Sequence, residues 1–266
     1  MAANFAAAAS QLITDCSASG KPCNDIKYTI CSDSTGNLRT AIEAAYNSAT
    51  GFATYGYFFA ADTTAAKYDT WTGTGDSYVY ATGVPVFFGS YNTSGIHQVG
   101  DLINSLGSSK SMAITGSVQG NYTINTASAQ YIGLANSTAP YGQMSHTLIN
   151  QMQGTSLPDT IPSYVYSPLW GNIGICYDKV MDHTTKTGFV GKSQICNGSG
   201  GVDTNTYVYV EFTASQYLLT QKAIKLNTSD GATALDDYIT SMRNISSCST
   251  GSGSWCEFIR KYCYQF

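Results

Sequence analysis

Charge is the scarcest commodity in this 266-residue chain: Asp, Glu, Lys and Arg together make up 11%, against about 25% in an ordinary soluble domain. The net charge is −4, and no basic stripe is present, which excludes nucleic acid as a partner. No apolar run approaches the roughly 18 residues needed to span a bilayer as a helix. The three histidines, His97, His146 and His183, are far apart and fall in no metal-binding spacing. No C-x-x-C pair occurs, which argues against a zinc site or a thioredoxin-like motif. A G-x-S-x-G nucleophile elbow is missing, as is a phosphate-cradling G-x-x-x-x-G-K-[ST] loop. No catalytic constellation emerges, so the chain is expected not to be an enzyme and to carry neither cofactor nor resident metal.

What fills the space is Ser, Thr, Asn, Gly and 20 tyrosines, beside a hydrophobic fraction of 43% that is ample for a core. The eight cysteines are Cys16, Cys23, Cys31, Cys176, Cys196, Cys248, Cys256 and Cys263. An even number in a polar, weakly charged chain reads as disulfides formed in an oxidising compartment. Cys16–Cys23 and Cys248–Cys256 would close short loops, but spacing alone does not fix the pairing. Six N-x-[ST] sequons, at Asn92, Asn121, Asn136, Asn197, Asn227 and Asn244, mark surface loops. No signal-peptide pattern opens the chain, and Met1 before Ala-Ala-Asn reads as the start of a mature secreted protein.

The most informative stretch is residues 132–142, Ile-Gly-Leu-Ala-Asn-Ser-Thr-Ala-Pro-Tyr-Gly. It reads as the end of an apolar strand, a polar loop and the start of a helix whose Met144, Leu148 and Met152 share one face. Pro140 suits the first helical turn. Such a junction leaves backbone N–H groups free at a helix N-terminus, where the macrodipole places roughly +0.5 charge, and this is a ready anion site. The pattern recurs. Asn4 stands before an alanine-rich helix at residues 6–13. Ser34-Thr35-Gly36 precedes a helix carrying Leu38, Ala41, Ile42 and Ala45. Asn172 precedes one carrying Ile173, Cys176, Tyr177 and Val180.

Between these lie β-prone runs at residues 28–31, 55–61, 78–88 (broken at Gly83 and Pro85), 112–115, 131–134, 188–190 and 207–212. Further helical spacings occur at Val99, Leu102, Ile103 and Leu106, at Leu235, Tyr238, Ile239 and Met242, and at Phe258, Ile259 and Tyr262. Asp62 is placed to cap a turn at Thr63. Residues 17–24, 73–77, 116–128, 196–206 and 246–254 read as loops. Alternating strand and helix predicts an α/β fold with largely parallel sheets, in which ligands sit at the carboxyl ends of strands.

Several of these segments, in this order, resemble the periplasmic molybdate-binding proteins of ABC transporters. They are AANF at 2–5, STGNL at 34–38, FFAADTTA at 58–65, IGLANSTAPYG at 132–142, GNIGICYDKV at 171–180, TGFVGKSQI at 187–195 and CEFIRKYCYQF at 256–266. The resemblance implies a two-lobed, type II periplasmic-binding-protein fold, each lobe a mostly parallel sheet flanked by helices. One lobe would comprise residues 1–82 and 208–266, the other 83–207, with crossovers near 80–85 and 207–213. It implies capture of a tetrahedral oxyanion, molybdate or tungstate first, by Asn4, Ser34, Thr35, Tyr141 and Ile173. Asn4, Ser34 and Thr35 would donate through side chains and backbone, Tyr141 and Ile173 mainly through backbone N–H groups. The implied partner is the membrane permease of an ABC transporter, and the implied location is periplasmic or extracellular.

In two places the sequence departs from that family. A full strand normally precedes the AANF position, and residues 47–56 replace the usual loop before the third strand. A second expectation follows from the first departure: a structural protein of the cell surface on the same fold, polymerising by strand donation into an open sheet edge.

Overall fold

The computed structural model describes residues 2–49, 51–52, 54–71, 73–91, 113–114, 120–121, 132–153, 168–249 and 251–266. The chain divides into two compact units. Unit one comprises Met1–Thr82, Cys196–Gly201 and Thr220–Phe266; unit two comprises Gly83–Ile195 and Val202–Leu219. The strand at 207–211 pairs inside unit two, and residues 196–201 are tied by disulfide to Cys263.

Unit one begins with a 3-10 turn, Ala3–Phe5, and helix α1, Ala6–Cys16. Alanine is the best helix former, and Ala8, Ala9, Leu12 and Cys16 form the buried face. Helix α2, Thr35–Ala44, starts where the Ser34 hydroxyl accepts the Asn37 N–H at 3.2 Å. Strands β1 (Tyr46–Asn47), β2 (Gly51–Phe52), β3 (Tyr57–Phe59) and β4 (Tyr78–Gly83) follow. Asp62 Oδ1 accepts the Thr64 N–H at 2.8 Å and opens a 3-10 turn at Thr64–Tyr68.

Unit two contains β5 (Pro85–Ser90), β6 (Ala113–Ile114), β7 (Gly120–Asn121), β8 (Ile132–Gly133), α3 (Pro140–Gln153), α4 (Ile173–Met181), β9 (Thr187–Gly191) and β10 (Tyr207–Glu211). Strand β11 (Leu219–Lys225) leads back to unit one, which ends with α5 (Asp230–Arg243) and α6 (Trp255–Lys261). Ser229 caps α5 and Ser254 caps α6. The expected helix at Val99, Leu102, Ile103 and Leu106 lies outside the described residues, as do the loop at 116–119 and 122–128 and the sequon at Asn92. No helix among the described residues is long and apolar enough to cross a membrane.

Unit one holds the sheet β3-β11-β4 and unit two the sheet β10-β5-β9-β8. Pairing is parallel where a strand feeds a helix: β8 with β9, and the bridges Ala2 with Asp33 and Ala135 with Trp170. It is antiparallel where strands lie beside the unit boundaries: β5 with β9 and β10, and β11 with β3. The parallel character expected from strand–helix alternation therefore belongs to the βα junctions and not to the whole of each sheet. Every residue of β5 and β9 is buried, which is why neither carries the charged residues of a half-exposed strand.

In unit one, Phe5, Leu12, Phe59, Tyr80, Ile239 and Trp255 share one core cluster; Leu38, Ile42, Phe52, Phe58, Tyr68 and Ile224 share another. The adjacent residues Phe58 and Phe59 thus point to opposite faces of β3, as strand geometry requires. Six cysteines form three disulfides, Cys16–Cys23, Cys196–Cys263 and Cys248–Cys256. Cys31 and Cys176 stand outside these three.

Candidate anion-binding loops

Three of the expected residues meet in unit one. The Ala2 N–H donates to the Phe59 carbonyl at 2.8 Å and the Ala3 N–H to the Asp33 carbonyl at 3.0 Å. This sets the turn carrying Asn4 beside the start of α2. Ser34 is nearly buried and serves as the helix cap. Its own N–H donates to the Asp33 carboxylate at 2.6 Å. Thr35 is buried, and its hydroxyl accepts the Ala61 N–H at 3.1 Å, tying the helix to the end of the β3 segment. A hydroxyl that accepts one bond still carries a proton to donate.

Asn4 departs from expectation. It neither caps α1 nor has a side-chain N–H left for a ligand. Its amide donates to Gln221 Oε1 at 3.1 Å and to the Tyr264 hydroxyl at 2.8 Å, and that hydroxyl donates to the Asn4 carbonyl at 2.7 Å. Tyr80 donates to the same Gln221 oxygen at 2.5 Å. With Gln221 fully buried, this is a closed polar network inside an apolar core. Sequence reading missed Gln221, Tyr264 and Tyr80. The only local signal was one polar residue at an inward position of β11.

Tyr141 and Ile173 meet in unit two. The Asn136 N–H donates to the Trp170 carbonyl at 2.7 Å and the Trp170 N–H to the Leu134 carbonyl at 3.0 Å, so the two loops run side by side. Asn136 Oδ1 accepts the Thr138 N–H at 3.0 Å, and the Ala139 N–H donates to the Asn136 carbonyl at 2.9 Å. This winds the chain tightly into α3. A β-carbon on Gly142 would lie 2.0 Å from the Asn136 carbonyl oxygen, so only glycine fits there. The Tyr141 ring is buried over Gly191, where a β-carbon would come within 2.9 Å of Cζ.

Ile173 is buried through its side chain, and Asn172 Oδ1 accepts the Ile175 N–H at 3.1 Å as the cap of α4. Gln194, which sequence reading missed, joins the pieces: its Nε2 donates to the Ile173 carbonyl at 3.1 Å, and its Oε1 accepts the Gly191 N–H at 3.4 Å. His146 Nε2 lies 3.2 Å from the Ala135 carbonyl, and burial holds this imidazole below its usual pKa, so it is neutral at pH 7.

The two sets of loops differ electrostatically. In unit one the Asp33 carboxylate already occupies the start of α2. In unit two the first turns of α3 and α4 contain no acidic residue, and the cap of α4 is a neutral amide. The leading N–H groups of a helix have no intrahelical acceptor, so these starts offer donors without a resident charge. Among the described residues no cluster of His, Cys, Asp and Glu is arranged to hold a metal ion.

Comparison with solved structures gives full-length matches. The periplasmic molybdate-binding protein of Azotobacter vinelandii superposes with a TM-score of 0.62 at 16% identity, over 100% of this chain and 96% of that one. The substrate-binding domain of a putative molybdenum ABC transporter from Clostridium difficile gives 0.52 at 14% identity, over 99% and 95%. This chain has the type II periplasmic-binding-protein fold. The regulatory domain of HypT from Salmonella typhimurium also matches, with a TM-score of 0.50 at 10% identity over 91% of this chain and 92% of that one. At such identities the likeness is one of fold. No protein-family model matches the sequence, and no curated protein matches it either.

Proposed function

We propose that this protein is an extracytoplasmic solute-binding protein that captures a tetrahedral oxyanion, molybdate or tungstate first, and hands it to the membrane permease of an ABC transporter. The observation that carries the reading is the pair of neighbouring helix starts in unit two, free of acidic residues and held by neutral side chains, on a fold shared with a molybdate-binding protein. In this reading the first-turn N–H groups around Tyr141 and Ile173 are the candidate donors of unit two. The Thr35 hydroxyl and the first turn of α2 are the candidate donors of unit one. Ser34 and Asn4 shape the second set of donors, Ser34 as a cap and Asn4 through its network with Gln221 and Tyr264.

The energetics are adequate. A desolvated dianion needs compensation by hydrogen bonds, and bonds to an ionised acceptor contribute roughly 1.5–3 kcal/mol each. A handful of them supplies the roughly 8 kcal/mol of micromolar affinity. Donors without acceptors also discriminate: a protonated anion brings an O–H that finds no partner, so fully ionised molybdate is favoured over hydrogen phosphate at neutral pH.

The test is a thermal-shift panel of molybdate, tungstate, sulfate and phosphate. At one hundred times the dissociation constant, ligation stabilises by about 2.7 kcal/mol, and the melting temperature rises with molybdate and tungstate. A panel in which none of the four anions moves the transition contradicts the proposal.

A further inference from the structure

Four of the six N-x-[ST] sequons, at Asn136, Asn197, Asn227 and Asn244, have all three positions among the described residues. Three of them use the triplet for turn chemistry. Asn136 Oδ1 accepts the Thr138 N–H at 3.0 Å, Asn197 Oδ1 the Ser199 N–H at 2.8 Å and Asn227 Oδ1 the Ser229 N–H at 3.1 Å. An asparagine that closes on the backbone two residues ahead is an ordinary turn former, so each of these three has a local reason to be Asn. Asn227 is engaged through its nitrogen as well: Nδ2 donates to the Phe52 carbonyl at 2.7 Å and to the Tyr55 carbonyl at 3.1 Å. Asn197 is exposed, but its loop closes on itself. The Asn197 N–H donates to the Gly201 carbonyl at 2.8 Å, and the Gly201 N–H to Asn197 Oδ1 at 3.3 Å.

Asn244-Ile245-Ser246 differs. Asn244 ends α5, yet its backbone lies at φ −74° and ψ −11°, not in the left-handed conformation for which Asn is favoured at helix ends. Neither the Asn244 carboxamide nor the Ser246 hydroxyl has a hydrogen-bond partner among the described residues. All three residues are exposed, Ile245 by 40%, and residues 245–249 belong to no helix or strand. The segment is nonetheless anchored on both sides. Arg243 stacks on the Tyr78 ring, its guanidinium carbon 3.8 Å from the centroid, and Cys248 is bonded to Cys256.

We propose that Asn244 is an N-glycan acceptor, with the Ser246 hydroxyl as the recognition element two residues on. The donor is an oligosaccharide joined through its anomeric carbon to a polyprenyl diphosphate. Transfer forms a bond from Asn244 Nδ2 to that carbon and breaks the bond from the carbon to the diphosphate oxygen. The electron pair leaves with the polyprenyl diphosphate, and the carboxamide nitrogen gives up one of its two protons. The segment meets both demands of such a transfer. Its carboxamide nitrogen has no competing acceptor, and its chain enters a transferase without breaking a helix or strand. At Asn227 the transferase would have to displace two carbonyls, and at Asn136 and Asn197 it would have to open a turn. A glycan at Asn244 sets a bulky, solubilising group beside exposed Ile245 on a chain with few charges. An acceptor role requires the extracytoplasmic location proposed above and is independent of anion binding.

Two measurements test this. Glycopeptide mass spectrometry of the protein purified from its native cells is expected to find sugar on Asn244 in most molecules, with Asn136, Asn197 and Asn227 bare. The folded, disulfide-bonded chain is then incubated with a single-subunit oligosaccharyltransferase and a polyprenyl-diphosphate oligosaccharide. Transfer to Asn244 is expected to be at least tenfold faster than to any of the other three. It is expected to be lost in Asn244→Gln and Ser246→Ala and kept in Ser246→Thr. A bare Asn244 in the native protein overturns the proposal, as does transfer to the folded chain that is no faster at Asn244 than at Asn227. The state of the cysteines separates two failures. A bare Asn244 in native protein whose disulfides are formed refutes glycosylation alone, whereas a bare Asn244 beside reduced cysteines refutes the extracytoplasmic location as well.

Discussion

Replacing Gly142 by alanine tests how tightly the loop into α3 is built. The added β-carbon would sit 2.0 Å from the Asn136 carbonyl oxygen, 2.8 Å from the Asn136 carbonyl carbon and 2.9 Å from the Ala135 carbonyl oxygen. All three are backbone atoms, so no side chain can swing away. Relief requires the loop or the first turn of α3 to move by about 1 Å, enough to restore ordinary van der Waals separation. The Ala139 to Asn136 bond and the packing of Tyr141 on Gly191 lie in the path of that movement. Overpacking of this kind costs about 1–3 kcal/mol, and the absence of a flexible neighbour places G142A at the upper end. At roughly 2–4 °C per kcal/mol for a chain of this size, the transition of unit two falls by roughly 6–12 °C. Anion affinity falls with it, because the donors around Tyr141 are displaced. G171A is the internal control: its β-carbon would meet only the Ile175 Cδ1 atom, at 3.9 Å, and both stability and affinity stay near those of the parent. Calorimetry of the three proteins decides the matter. A G142A transition within 1 °C of the parent would refute the reasoning.

Further outcomes follow from the same structure. Asn4→Ala leaves Gln221 and Tyr264 short of a buried partner and lowers stability by about 1–3 kcal/mol in chemical denaturation; a neutral result removes the network. Replacing Cys196 and Cys263 by serine opens a link spanning 67 positions, and loop-closure entropy predicts a loss of about 4 kcal/mol. Opening the 7-position Cys16–Cys23 link costs less; denaturant midpoints rank the two variants. Acid also destabilises the fold. The Lys179 ammonium and the Thr184 hydroxyl and N–H hold Asp182 down to about 2, and the Gly251 and Gly253 N–H groups hold Glu257 below its usual value. Folded pKa values below unfolded ones mean stabilisation present above the unfolded values near 4 and lost as pH falls toward 2. A melting temperature unchanged between pH 5 and pH 2.5 would contradict that sign.

Local chemistry made much of this legible in advance. Ser34 and Asn172 cap the helices they precede, Asp62 opens the turn after β3, and Gly83–Pro85 separates β4 from β5. Each is settled within a few residues by side-chain reach and helix periodicity. What stayed hidden depends on distant partners. The fate of the Asn4 amide is decided by Gln221 and Tyr264, more than 200 positions away. Thr35 is engaged by a backbone N–H at Ala61, and Gln194 reaches back to Ile173. Residues 28–31 have the composition of a strand but belong to no sheet among the described residues, because composition does not decide pairing. The short Cys16–Cys23 link was a visible option; Cys196–Cys263 was not, because its ends meet only through the fold.

The central claim is that this chain captures a tetrahedral oxyanion through uncharged donors, and isothermal titration of sodium molybdate into the intact chain tests it most directly. The account predicts a single site per chain with micromolar affinity. Thr35→Val and G142A should each weaken binding at least tenfold while far-ultraviolet circular dichroism is retained. Absence of heat with both molybdate and tungstate at millimolar concentration, or binding that survives both substitutions unchanged, would contradict it.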